Sequence, residues 1–311
     1  MRLLLAALLT ILGAQAQTDL RAILTRVAEE ADAFQESLPK ALTTETLVQR
    51  TLLPPSRFQP RIGAAASEAQ KIRERVREIV SEYSVAGLHD SESNDLVEFR
   101  QVISVDGKPV QSVENARRAL SLGVQSEDDH LRKRMLEDFA KHGLVDIATD
   151  YAPILLAFTK RGLQNMMMGA VAQGQVGADT VLILAWKQKS AEGGELEFHG
   201  RQASHLPLSG TLWVRESDGL PLRVQTWAQS YDRAKHLIRD EATVDYVRSS
   251  HGFLTPTSVL HRHLVDGAMM TENLYRYEPF KLFTSDTELK FTEIPPDPPA
   301  TPPAPPAAKK K

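Results

Sequence analysis

Residues 210–229 read GTLWVRESDGLPLRVQTWAQ and decide the fold, because two alternating apolar and polar runs flank the Asp-Gly pair at 218–219. An Asp-Gly pair between alternating runs is the strongest short-range signal for a β-hairpin, since both residues tolerate the backbone conformation of a tight turn. The same signal recurs at 106–107 and at 266–267. These turns predict antiparallel hairpins, and they make the carboxy-terminal half of the chain nearly all sheet.

Further alternating runs extend the predicted meander to about eight strands. The supporting runs are 96–105, 180–187, 194–201, 210–215, 222–227, 238–247, 255–265 and 269–277. Earlier in the chain, the prolines of 44–61 predict a short strand followed by a loop. The stretch 72–87 fits either a helix or a strand, and the sequence leaves both open.

Three helices are predicted before the main run of strands. Apolar residues recur at helical spacing from Thr18 to Leu38, where a proline ends the pattern. The segment 112–122 predicts a shorter helix. Ser126 and the acid three residues later form a capping box, which predicts a helix that ends near Gly143.

Four of these segments carry a resemblance to a known family. They are GTLWVRESDGLPLRVQTWAQ, IRDEATVDYV at 238–247, GFLTPTSVLHRHLVDGAMMTENLYRYEPF at 252–280 and FRQVISVDGKPVQ at 99–111. Together they resemble uncharacterised secreted bacterial proteins whose sheets are similar to those of the LolA and LolB lipoprotein carriers. The resemblance implies an α+β fold with a curved antiparallel sheet, an incomplete barrel. It also implies helices over the concave face and an apolar cavity between helices and sheet.

The two ends of the chain predict how it is processed and divided. Arg2, the apolar run 3–12 and the triplet AQA at 14–16 are typical of a cleavable secretory signal peptide. Residues 295–311 are rich in proline and predict a disordered tail. We therefore expect a signal peptide at 1–16 and one domain at 17–294, helical over 17–145 and mainly sheet over 146–294. The expected location is periplasmic or secreted, without a transmembrane anchor.

The composition excludes several classes of function. The chain contains no cysteine, which rules out disulfides, thiolate metal sites and a cysteine nucleophile. Its 37 basic and 40 acidic side chains leave a formal charge of −3, so no overall charge favours nucleic acid as a partner. No hydrolase elbow and no phosphate-binding glycine loop occurs. We expect no cofactor and no enzymatic activity.

Two histidines are the one suggestion of metal chemistry. His261 and His263 are two residues apart on a predicted strand, so their side chains share a face and could bind a metal such as zinc. A third ligand would have to come from His199, His205 or Asp266. The alternative interpretation is that both histidines are polar side chains on a solvated face, with Leu260 and Leu264 pointing inward.

Clustered apolar residues suggest where a ligand would bind. The candidates for lining a cavity are Leu155, Phe158, Met166, Met167 and Met168. Methionine is flexible and polarisable, which suits a surface that repacks around varied apolar ligands, although ordinary core packing would use the same residues. The sequence thus predicts a binding protein for an apolar or lipid-like ligand such as an acyl chain. The alternatives are a cell-envelope scaffold that binds a protein partner and a metal-assisted hydrolase that uses His261 and His263.

Overall fold

A computed structural model describes residues 2–53, 72–87, 96–126, 129–147, 151–190, 195–199 and 202–283. The helices are α1 (Arg2–Ser37), α2 (Val113–Gln125) and α3 (Asp129–Ala140), with 3₁₀ turns at Leu38–Lys40, Ala152–Phe158 and Gly162–Asn165. The first strands are β1 (Ala41–Leu53), β2 (Arg73–Gly87), β3 (Leu96–Val105), β4 (Lys108–Pro109), β5 (Met166–Val176), β6 (Asp179–Gln188), β7 (Glu195–His199) and β8 (Gln202–Leu206). The remaining strands are β9 (Ser209–Arg215), β10 (Pro221–Tyr231), β11 (Leu237–Arg248), β12 (Leu254–Val265), β13 (Ala268–Tyr277) and β14 (Lys281–Leu282).

Twelve of the strands form one curved, open antiparallel sheet, so the predicted α+β class and incomplete barrel are confirmed. The strand order is β4-β3-β2-β1-β13-β12-β11-β10-β9-β6-β5, with β14 beside β1, while β7 and β8 pair separately as a hairpin. The last long strand, β13, returns to pair with β1, and Thr271 lies opposite Thr51. The part of the chain expected to be helical, 17–145, therefore contributes four strands, and one sheet runs through both parts.

The turns explain why the hairpins were predictable. Asp106 and Gly107 have φ angles of 51° and 73°, and the pair at 266–267 has 49° and 80°. Positive φ at both central residues defines the type I′ turn, whose twist matches that of the strands it joins. At the third Asp-Gly pair only Gly219 has positive φ, at 75°, because the turn there is longer and separates β9 from β10.

Helix α1 covers the inner face of the sheet, as predicted for this segment. Its buried residues Val27, Ala31 and Phe34 recur at helical spacing, and they join a core of alternate residues from the strands. The strand members of that core include Leu184, Leu212, Val214, Val224, Val244 and Tyr246. By contrast, α2 packs on the opposite face, where Leu120 and Val124 form a second cluster with Ala86 and Phe99. The helical cover of the inner face is thus mainly α1.

Several predicted boundaries differ from the structure. The ambiguous stretch 72–87 is strand β2, and the predicted strand at 194–201 is β7, which pairs with β8 apart from the main sheet. Ser126 is the C-cap of α2, whereas α3 begins at Asp129; residues 127–128 lie outside the described residues. Strand β5 was missed altogether, because its methionine run does not alternate and Gly174 reads as a loop residue.

Candidate functional site

A short apolar segment, Ala152–Phe158, lies on the inner face of the sheet, and we call it the plug. It forms a 3₁₀ turn that contacts α1 on one side and β12 on the other. Leu155 and Phe158 have no exposed surface, and the Phe158 ring packs edge-on against Trp186 with centroids 5.3 Å apart. The plug therefore fills space between helix and sheet in which the family resemblance implies a cavity.

Polar side chains of the sheet hold the backbone of the plug. The Tyr246 hydroxyl donates to the carbonyl oxygen of Ala152 at 2.8 Å and accepts the Leu155 N–H at 3.2 Å. The Ala152 N–H donates to the Glu98 carboxylate at 3.1 Å. These bonds matter because the plug has no neighbouring strand to satisfy its buried backbone groups. Burial raises the pKa of Tyr246 well above its usual value, so its hydroxyl stays protonated.

The structure separates the five predicted ligand residues into two groups. Leu155, Phe158 and Met166 are buried in one apolar core, with Met168 partly buried against it. Met167 is half exposed and lies opposite Lys187 on the other face of the sheet. Beside it is an open depression of about 240 Å³, which is lined by Met167, Met168, Gly169, Ala185, Trp186 and Lys187.

A second open depression, of about 210 Å³, lies where strands β10, β11 and β12 are adjacent. Arg239 stacks over the Trp227 ring there at 5.1 Å and forms an ion pair with Glu241 at 3.1 Å. Arg262 on the next strand pairs with Glu272 at 2.9 Å. The charges that line this depression are thus already neutralised within the chain.

Beside the plug, the inner face carries a buried cluster of charges. Arg100 donates to Glu45 through Nε at 2.7 Å and through Nη2 at 2.8 Å, and its Nη2 also donates to Glu98 at 2.6 Å. All three side chains are 2% exposed or less. The guanidinium lies 5.2 Å from the centre of the Tyr83 ring and 5.3 Å from that of Tyr275. Four strands, β1, β2, β3 and β13, meet at this cluster.

Two carboxylates share one guanidinium in this cluster, so negative charge is in excess. Burial raises the pKa of Glu45 above its usual value despite the attraction of Arg100. Burial opposes the charge of Arg100, but Glu45 and Glu98 outweigh that effect and raise its pKa well above the usual value. Arg100 therefore remains charged and is the group that keeps both acids inside the protein.

A second polar cluster surrounds the two predicted histidines. The Asp240 carboxylate accepts from His261 Nε2 at 3.0 Å and from His263 Nδ1 at 2.9 Å. Asn273 Nδ2 lies 3.1 Å from His261 Nδ1. Because an amide nitrogen only donates, Nδ1 of His261 is the acceptor and Nε2 is the nitrogen that donates. Burial alone would raise the pKa of Asp240, but the hydrogen bonds from both histidines outweigh it and lower the pKa to about 2.

The two histidines share a face of β12, as their spacing predicts, but this is the buried inner face of the sheet and not the face exposed to solvent. His261 is 2% exposed and Tyr151 stacks on its ring at 5.4 Å, so the alternative of a solvated face with leucines inward is wrong for His261. Asp266 bonds to His236 instead, at 2.6 Å. The side chains of His199 and His205 lie outside the described residues. Among the side chains that are described, no three acids or histidines are arranged to hold a metal ion.

The acids and Arg100 were not predicted as a site, although a signal was available. Glu98 and Arg100 are in phase with Val102 along β3, and Glu45 is in phase with Leu47 along β1. Charged residues in the buried phase of an alternating strand indicate an internal ion pair. Asp240 carries the same signal, because it is in phase with the buried residues of β11.

Comparisons with known proteins give distant similarities. The chain is similar to a LolA superfamily protein from Nitrosomonas europaea at 10% identity, over 82% of this chain and 94% of that chain, with a TM-score of 0.28. It is also similar to MucB in a complex with MucA(peri) at 8% identity, over 83% of this chain and 99% of that chain, with a TM-score of 0.19. No family model and no curated protein matches. The first of these structures belongs to the superfamily that the sequence resembles.

None of the helices in the described part of the chain combines the length and apolar character that a membrane crossing requires.

Proposed function

We propose that this protein is a non-enzymatic binding protein that holds an apolar or acyl chain between α1 and the sheet, where the plug now lies. The observation that carries the proposal is the plug itself. It is an apolar segment of seven residues, outside the sheet ladder, enclosed between a helix and the inner sheet face. An acyl chain in the place of Leu155 and Phe158 would make the same kind of apolar contacts with α1 and the sheet as these side chains make.

The attachment of α1 supports such an exchange. Outside its apolar stripe, α1 is joined to the rest of the protein by the ion pairs Glu30–Arg248 at 2.5 Å and Asp32–Lys160 at 3.3 Å. Arg248 and Lys160 are 43% and 70% exposed, whereas Glu30 and Asp32 are 15% and 33% exposed. Asp32 also accepts the Lys160 backbone N–H at 3.3 Å. Because solvent screens one partner of each pair, we expect each to contribute about 1 kcal/mol. The helix is therefore held mainly by apolar contacts, which an apolar ligand can replace.

A titration with a fluorescent fatty acid tests this function. We expect one site per chain with micromolar affinity, which corresponds to about 8 kcal/mol. Burial of the acyl chain should give a negative heat-capacity change and little dependence on salt.

Met167→Asp provides the control, because it separates the proposed site from the depression between β5 and β6. Binding beneath α1 should be unchanged in this variant, whereas binding in the depression beside Met167 should be lost. An absence of saturable binding to the unmodified chain would contradict the function, as would its loss in Met167→Asp.

The same proposal places the protein in the periplasm or outside the cell, which rests on the signal-like segment at 1–16. We expect cleavage after Ala16, so amino-terminal sequencing of protein isolated from cells should begin at Gln17. A protein that retains Met1 and stays in the cytoplasm would contradict this location.

A further inference from the structure

The two ends of the sheet differ in how their outer strands are protected. At one end, β4 is two residues long and consists of Lys108 and Pro109, and α2 and α3 pack against the adjoining strand β3. A short strand, a lysine, a proline and a covering helix are the usual devices that prevent a sheet from adding another strand. The other end is β5, which has none of these.

Strand β5 spans Met166–Val176 and reads MMMGAVAQGQV, without a charged residue or a proline. It is the last strand of the order, and among the described residues its one strand neighbour is β6. One register shift, between Met168 and Val171, interrupts it, and the six residues 171–176 beyond the shift pair regularly with β6. A long uncharged edge of this kind presents unpaired backbone groups to another strand.

The hairpin turn shows which backbone groups are free. Gly177 has a φ of 59° and opens a two-residue turn between Val176 and Asp179, which pair with each other. In such a hairpin the two residues of the closing pair hydrogen-bond to each other through their N–H and C=O groups. Along each strand, the side of the strand to which these groups point alternates from one residue to the next. Val171, Gln173 and Gln175 therefore direct their N–H and C=O groups away from β6.

We propose that β5 pairs antiparallel with β5 of a second copy of this chain. With the two-fold axis at Gln173, Val171 of each copy lies opposite Gln175 of the other, so all three outward-facing residues are in hydrogen-bonded positions. A second copy fits this edge because the strand is uncharged: self-pairing places no like charges opposite each other, and it sets glutamine amides side by side. The pairing joins two twelve-stranded sheets into one continuous sheet.

A single engineered thiol tests the pairing, because the chain has no cysteine of its own. Gln173→Cys should form a disulfide-linked dimer under mild oxidation, since residues opposite each other across an antiparallel pair are within disulfide reach. Gln229→Cys is the matched control: residue 229 is also an exposed glutamine, but it lies on β10, an inner strand of the sheet, where it pairs with Arg239 of β11. We expect no dimer from it.

Sedimentation velocity over a concentration series gives the independent measurement. The unmodified chain should show a reversible dimer, and Gln173→Pro and Gln173→Lys should weaken it at least tenfold. Proline removes an N–H that the β5–β6 ladder does not use. Lysine adds one positive charge from each copy at the two-fold axis, where the Gln173 side chain now donates to Glu216 of its own chain at 3.4 Å. Unchanged circular dichroism would establish that the variants fold.

Three results would overturn the proposal. They are a chain that stays monomeric at millimolar concentration, a dimer that both variants leave intact, and equal cross-linking from positions 173 and 229. If the chain stays monomeric but binds an extended peptide that Gln173→Pro excludes, the edge serves a different protein instead of a second copy.

Discussion

Arg100→Leu should destabilise the protein by about 3–5 kcal/mol at pH 7, because it leaves Glu45 and Glu98 buried without their common partner. Burial already raises the pKa of Glu45 although Arg100 opposes this, so without Arg100 the Glu45 carboxyl holds its proton at a pH where the unfolded chain ionises it. This raised pKa destabilises the fold above pH about 4, the usual pKa of a glutamate carboxyl, and the penalty shrinks as the pH falls toward that value. Chemical denaturation at pH 7 and at pH 4 measures both effects.

Two further variants make the result specific to the buried cluster. Adding Glu45→Gln and Glu98→Gln to Arg100→Leu should recover part of the loss, since no charge is then buried without a partner. Arg262→Leu also removes an arginine from an ion pair, but Arg262 is 43% exposed, so a change below about 1 kcal/mol is expected. If Arg100→Leu were as stable as the unmodified chain at pH 7, the cluster would not hold the inner strands together.

Phe158→Ala should have two effects, a loss of stability of about 3–5 kcal/mol and tighter binding of an acyl chain. The ring is fully buried against Trp186, so its removal leaves a cavity within the apolar core. An acyl chain then enters space that is already open instead of displacing the plug. The fatty acid titration and a denaturation curve measure the two effects on the same preparation.

Phe280→Ala is the matched control for this variant. Phe280 is 4% exposed and belongs to the same core, but its ring packs against Tyr83 and Tyr277. We expect a similar loss of stability and no gain in acyl affinity. Equal gains in both variants would mean that any hole in the core binds the probe, and a loss of binding in Phe158→Ala would contradict a site at the plug.

The sequence predicted the architecture well where one interaction decides the local structure. The Asp-Gly turns at 106–107 and 266–267 need positive φ at both positions, and few other residue pairs allow it. Strand β2 was ambiguous, because Val76, Ile79 and Tyr83 also recur at helical spacing and each face of the strand mixes charged with apolar residues. Its pairing with β1 and β3 decides the outcome, and the local pattern of β2 does not contain that information.

The content of the inner face was less predictable. Leu155 and Phe158 were expected to line a cavity, and whether such residues line a space or fill it depends on the tertiary position of the plug. That position rests on Tyr246 and Glu98, which are 94 and 54 residues from Ala152 in the chain. The run of methionines was expected to act together, but the strand pleat places Met166 and Met167 on opposite faces.

Hydrogen exchange of the plug amides, measured with and without a saturating fatty acid, tests the exchange of plug for ligand most directly. The Ala152 and Leu155 amides donate to Glu98 and Tyr246, so they should be protected in the free protein. If the acyl chain takes the place of the plug, both amides should exchange faster when it is bound, while the amides of the central strands β10 and β11 keep their protection. Unchanged or slower exchange at Ala152 and Leu155 in a protein that binds the fatty acid saturably would contradict the account.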